Sequence, residues 1–274
     1  MALSSSHYLH ALQGIVVREV LRFIKQRERF VASLVRPILW LVVFSAGLRG
    51  SLELAPDAFY LEVLSSPRQF SYEMYLLPGL VAMILLFSSM QSALSMVFDR
   101  EMGSMRVLLV SPLPRSYLLF CKLFAGSVIS LLQITLFLLF ASFFEVGISV
   151  SNVLLALPLL LLGGLCCGSI GLYLSSLIKQ LENFAGIMNF VIFPLFFLSS
   201  ALYPLSNFQE GSPLLYYLAQ INPFTHIVEM LRHALFGELK FGAVVYVSLC
   251  FAVFSALASR GYNPSRGMMK KKFS

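Results

Sequence analysis

The sequence predicts an all-α polytopic membrane protein with six transmembrane helices. Three observations carry that prediction. Of its 274 residues, 58% are hydrophobic and 12% charged, whereas a soluble domain has roughly 45–50% and about 25%. The apolar residues stand in long unbroken runs and do not alternate, which favours helices over a β-barrel. The charges gather at the ends of those runs, more of them positive on one side than on the other. A net charge of +7 in such a chain reports topology and contact with anionic headgroups, with no nucleic acid implied. Residues 1–274 read as a single membrane domain.

Residues 7–30 form an amphipathic helix. Leu12, Val16, Val20 and Ile24 recur on one side, with Ile15 and Phe23 beside them, while Arg18, Arg22, Lys25 and Arg29 recur on the other. That pattern suits a helix lying in the membrane interface. Span 1 follows over about 30–48, with Arg36 near its start placed to snorkel to the headgroups. About thirty residues precede this span, with no small-residue cleavage site, so it is expected to be retained. Residues 49–73 carry Glu53, Asp57, Glu62 and Glu73 against Arg49 and Arg68, and read as an external loop.

Span 2 covers about 74–97, with a kink allowed at Pro78-Gly79. Span 3 covers about 118–144, closed by Glu145, and the short link 146–152 makes span 4 (about 153–177) its antiparallel neighbour. Gly163, Gly164, Gly168 and Gly171 give span 4 a face on which helices approach closely. A tight turn at 179–183 leads to span 5, about 184–203, with Pro194 inside. Residues 204–240 are too polar and too broken to cross. They read as a pair of short re-entrant helices dipping in from outside, their freed backbone groups buried in protein. Span 6 covers about 241–259.

Six spans place both termini on one side. Sixteen Lys and Arg lie on the side of the termini and of the segment between spans 2 and 3, against four on the other. Both termini and that segment are therefore expected to be cytoplasmic.

The segment at 98–114 (FDREMGSMRVLLVSPLP) is unlike the rest. It packs Asp99, Arg100, Glu101 and Arg106 before an apolar run at 107–110, then stops at Ser111-Pro112 and Pro114. A charged start, an apolar side and a proline stop predict a short amphipathic helix over about 99–110, exposed as a handle between two spans. Glu229 and Arg232, three apart, share a helix face. His226 and His233 share a face without the spacing of a metal site, and Cys121, Cys166, Cys167 and Cys250 read as small buried hydrophobes. No phosphate loop of the GxxxxGK[ST] type is present, nor HExxH or GxSxG. The chain is expected not to be an enzyme and to hold neither cofactor nor metal.

The handle resembles the cytoplasmic signature of the type-2 ATP-binding-cassette exporter permeases. The matching residues are Arg100 and Glu101, Gly103 and Ser104, Leu108 and Leu109, and Ser111 and Pro112. A second match runs from 198–205 (LSSALYPL) to Asn222-Pro223 and Leu231-Arg232. Two positions depart: Arg106 stands where the family often has Glu, and Cys121-Lys122 where Gly-Lys is common. The resemblance implies that the handle is the coupling helix, docking with Arg106 included into a separate ATPase subunit that binds ATP and Mg. It implies two ATPase copies and a homodimer or a pair with a related permease, in a bacterial plasma (inner) membrane. It implies export of an amphipathic lipid, lipid-linked glycan or hydrophobic drug. The family's path runs between copies along spans 1, 2 and 5. Here those spans carry Trp40, Phe44, Phe87, Met90, Phe190, Phe193, Phe196 and Phe197, with Asn222, Pro223, Glu229 and Arg232 near an outer gate. The alternatives are a non-transporting anchor or assembly protein, and an ion-coupled carrier. Span centres nearly free of charge argue against the carrier.

Overall fold

The computed structural model describes residues 5–48, 72–101, 113–144, 148–178 and 181–261. Among the described residues the regular structure is helical throughout. In chain order the helices are α1 (Ser5–Lys25), α2 (Arg27–Leu48), α3 (Tyr72–Glu101), α4 (Arg115–Ala141), α5 (Val150–Leu177), α6 (Leu181–Phe197), α7 (Leu205–Gly211), α8 (Pro213–Ile221), α9 (Pro223–Leu235) and α10 (Phe241–Gly261). A single 3-10 turn, Ser142–Phe144, follows α4.

Four of these, within α3, α4, α5 and α10, are long and apolar enough to cross a membrane; α2 and α6 contain shorter apolar stretches, Phe30–Phe44 and Gly186–Phe197. Arg36 interrupts the first of these stretches. The second ends at Phe197, six residues short of the expected limit of span 5. Pro194 lies one turn before that end and cannot donate to the helical ladder, and the chain then turns through 198–203.

The spans differ in burial rather than in apolar content. The apolar window of α3 is 72% buried, and that of α10 only 17%. Accordingly α3 is the central post, packed against α2, α4, α5, α6 and α9, while α10 rests on α5 and α9 and turns Val245, Leu249 and Val253 outward. The small-residue face of α5 packs within the subunit. A Cβ on Gly171 would lie 2.9 Å from Ala93 Cβ on α3, so glycine lets the two backbones close. At Gly79 a Cβ would collide with the Ala201 carbonyl. That glycine lets the turn after α6 sit directly on α3.

Three sequence expectations are corrected. The N-terminal helix is not continuous over 7–30: it breaks at Gln26, and α2 starts at Arg27. Glu73 is no loop residue; it sits buried in the first turn of α3, where the unpaired amides of a helix start favour a carboxylate. The stretch 204–240 holds three helices, not two. Proline at the first position of α8 and of α9 starts each afresh, since that position needs no amide donor. The remainder of the external loop, the handle at 102–112, the residues 145–147 and 179–180, and the basic tail beyond 261 lie outside the described residues.

Candidate functional site

Two polar clusters, one at each end of α3, join helices that are far apart in sequence. The first lies where α3 meets the handle. Residues 99–101 prolong α3, so they belong to the span helix rather than to a separate one. The Lys122 ammonium of α4 donates to the Asp99 carboxylate, and both residues are buried. From α1, Arg22 approaches the other Asp99 oxygen at 3.9 Å, and its guanidinium lies 5.8 Å from the Phe98 ring. The α1 helix is held on α4 by a second bond, Tyr117 Oη to the Tyr8 carbonyl at 2.6 Å, with the two rings edge to face at 4.9 Å. Leu12, Val16 and Val20 are half-buried and Phe23 is buried, while Leu9, Val17, Leu21 and Ile24 are exposed. The α1 helix therefore packs against a span on one side and presents an apolar stripe on another.

A buried ion pair needs near-complete partnering, because removing either charge leaves the other desolvated. Among the described residues, Asp99 has cationic neighbours on two different helices. The arrangement fixes α1, α3 and α4 to one another at the point where the handle leaves the bundle. Of the predicted docking residues, Arg100 and Glu101 fall in the last turn of α3. Gly103, Ser104, Arg106, Leu108, Leu109, Ser111 and Pro112 lie outside the described residues.

The second cluster lies at the other end of α3. Asn222 is the N-cap of α9, accepting from the Phe224 amide at 2.9 Å, and Pro223 follows as the first helical residue. The Asn222 amide also donates to the Leu195 carbonyl at 2.8 Å and the Leu198 carbonyl at 2.6 Å. One side chain thus closes the end of α6 and the start of α9. Arg232 is buried. It donates to Glu229 Oε1 at 2.5 Å and to the Ser200 carbonyl at 2.6 Å, and it lies 4.1 Å from the Tyr75 ring. Tyr75 Oη donates to the same Ser200 carbonyl at 3.0 Å. Lys240 reaches Glu229 Oε2 at 3.2 Å. Burial alone would raise the Glu229 carboxyl, but Arg232 and Lys240 outweigh it and hold it down at about 2. The pairing of Glu229 with Arg232 was legible as i, i+3 spacing; the partners Tyr75 and Ser200 were not.

The histidines of α9 are taken up locally. His226 Nε2 bonds the Gln220 carbonyl at 2.8 Å and its ring stacks on Tyr246 at 3.8 Å; His233 Nδ1 bonds the Glu229 carbonyl at 2.8 Å. Among the described residues no three His, Cys, Asp or Glu gather where they could hold a metal ion. At the far end of α9, Gly237 (φ 91°) makes the left-handed turn, and Asn152 Nδ2 donates to the Leu235 carbonyl at 3.1 Å. That is an ordinary helix C-terminus with glycine just past it.

The predicted path residues divide. Trp40, Phe44, Phe193, Phe196 and Phe197 form one aromatic cluster across α2 and α6: Trp40 stacks on Phe44 at 5.0 Å and meets Phe196 at 5.9 Å, and Phe193 stacks on Phe197 at 6.1 Å. Phe193 and Phe197 remain partly open at 48% and 39%, whereas Phe196 is buried and packs on Phe224 of α9. Phe190 shares their face and is exposed. Met90 is buried in the core facing α5. Phe87 stands apart, beneath the guanidinium of Arg36 at 4.2 Å. Arg36 lies across this ring and is itself exposed.

Comparison with known proteins adds a family. The model for the ABC-2 type transporter family matches residues 10–236. The protein named transport permease ycf38 of Cyanophora paradoxa is 26% identical over 236 residues, which cover 84% of this chain and 76% of that one. Its namesake in Porphyra purpurea is 26% identical over 84% of this chain and 75% of its own. Nodulation protein J of Sinorhizobium fredii is 29% identical over 112 residues, 40% of this chain and 42% of its own.

Proposed function

This chain belongs to the ABC-2 type transporter family, and from that premise we propose that it is the permease subunit of an ATP-driven exporter. It is a multi-pass membrane protein and a transport permease, and such permeases typically pair with an ABC ATPase. The finer reading assigns the handle at 99–112 as the part that docks into that ATPase, with two permeases, identical or related, and two ATPase subunits in the complete machine. ATP and Mg belong to the ATPase. The chain crosses the bacterial inner membrane six times, counting α2 and α6, with both termini and the handle in the cytoplasm.

One observation supports this reading most: the Arg22–Asp99–Lys122 cluster at the root of the handle. A segment that transmits force needs a stiff mounting. Here the two helices that bracket the handle are tied by a buried ion pair, and the interfacial helix beside them adds the half-exposed Arg22, so a push on the handle moves them as a unit. An ordinary solvated turn between two spans needs no such tie. The substrate is an amphipathic molecule, a lipid, lipid-linked glycan or hydrophobic drug, moved outward. The open aromatic face of Phe190, Phe193 and Phe197 offers apolar contact with little directional demand, which suits an acyl or polycyclic moiety. The test is co-purification with the cognate ABC ATPase and ATP-dependent release of an amphipathic probe from vesicles. A complex that forms and hydrolyses ATP but moves no amphipath would remove the substrate assignment.

A further inference from the structure

We propose that the pocket between α2, α3 and α4 binds a phosphate-bearing anion, the headgroup of an amphipathic ligand, with Arg36 as its counter-charge. The pocket is lined by Ser33 and Arg36 of α2, Phe87, Ser88 and Gln91 of α3, and Gln133 of α4. Its enclosed floor is small, about 30 Å³, with room for a few water-sized groups at most, and the pocket is partly open, so a headgroup would sit at its mouth rather than within it.

Three features point to an anion. Arg36 lies nine residues beyond the start of α2, about 14 Å along the helix at 1.5 Å per residue. It is inside the apolar stretch, where a charge is costly unless it has a function or a partner. Among the described residues no carboxylate pairs with it; its guanidinium lies on the Phe87 ring, which leaves the N–H edge for another acceptor. Second, Gln133 is 1% exposed and its Nε2 has no hydrogen-bond partner. An orphaned buried donor is costly, and this one lines the same pocket. Third, Ser88 is buried there and supplies a further hydroxyl. A cation with two or three neutral donors around an apolar floor is how a phosphoryl group is held. Gln133 stands eleven residues beyond Lys122 on α4, about 16 Å from the ion-pair cluster, so this site is separate from the handle mounting.

The inference rests on the export reading only in that it names the chemistry of the substrate's polar end. Binding is measured on the permease alone, without ATPase, so failure to bind and failure to couple are distinct results. Trp40 is the chain's single tryptophan, one turn from Arg36 on α2, and reports the site directly. Full-length protein in neutral-detergent micelles is titrated with dioctanoyl phosphatidic acid, with dioctanoylglycerol and with inorganic phosphate, following Trp40 emission. The expected result is a saturable change with the phosphatidic acid and none with the diacylglycerol. Saturation by inorganic phosphate as well would make free phosphate, rather than a lipid headgroup, a sufficient ligand. Arg36→Gln should weaken binding by about tenfold or more, the scale of a hydrogen-bonded charge, and Arg36→Lys should recover part of it. Gln133→Leu, which keeps the charge, should weaken it several-fold, so the proposal stays testable if Arg36→Gln does not fold. Arg260→Gln, at the exposed end of α10, should bind as wild type. An equal response to diacylglycerol, no saturable response to either anion, or wild-type affinity in both Arg36→Lys and Gln133→Leu would overturn the proposal.

Discussion

Asp99 and Lys122, 23 residues apart, form a buried ion pair that closes the root of the segment between α3 and α4. Breaking a buried pair by neutralising one member costs about 3–5 kcal/mol, because the survivor stays desolvated. Asp99→Asn should therefore lower the thermal stability of the purified permease. It should also reduce ATP-driven transport more than ATPase binding, because the handle remains but its mounting loosens. Thermal unfolding in detergent alongside transport assays in vesicles checks both. Wild-type coupling in a stable Asp99→Asn protein would mean the tie is only structural.

Asn222 caps α9 and ties down two carbonyls at the end of α6. Asn222→Ala loses the cap, worth about 1 kcal/mol, and leaves two acceptors unpaired at about 1 kcal/mol or more each. Asn222→Asp keeps the cap but aims a carboxylate at those carbonyls, so it should be no better. Melting temperatures of the two variants test this: a stable Asp variant would show that the cap alone matters.

The three short helices before α10 are expected to stay on the outer side. Single cysteines at Gln209 and Glu238 should both react with a membrane-impermeant thiol reagent added from outside intact cells. Labelling from opposite sides would place a crossing between them and end the six-span count.

Phe193 and Phe197 stack on each other and keep an open face. Phe193→Ala or Phe197→Ala should alter substrate-stimulated ATPase activity of the assembled complex more than its basal activity. Unchanged stimulation by every transported compound, in folded and coupled complexes, would move the path away from α6.

Much of this architecture is visible in residue order, because long apolar runs and helical charge spacing are local properties. The amphipathic α1, the close-packing glycines of α5 and the Glu229–Arg232 pair all follow from spacing within one helix. Asn222-Pro223 is a helix start written in two residues. What was not legible involves partners brought in by tertiary packing. Nothing near Asp99 in sequence announces Lys122, nothing near Arg232 announces Tyr75 or Ser200, and Gln133 is one polar residue in an apolar run. Glu73 looked like loop because carboxylates avoid lipid, yet burial at a helix start satisfies it. Nothing near Arg36 announces the ring of Phe87, 51 residues further on. The break of 204–240 into three helices turns on Pro213 restarting the chain after Ser212, a signal that a count of short segments overlooked.

The central claim, that this chain is driven by an ABC ATPase held at its handle, is tested most directly by co-purification. Tagged wild-type permease, Glu101→Arg and Leu108→Asp are expressed with the cognate ATPase and pulled down from detergent. Glu101→Arg reverses a charge that would hydrogen-bond the partner, and Leu108→Asp places a charge in an apolar contact. The account predicts that both variants insert into the membrane at wild-type level while the ATPase is retained only by wild type. Recovery of the ATPase at wild-type level by both variants would contradict it.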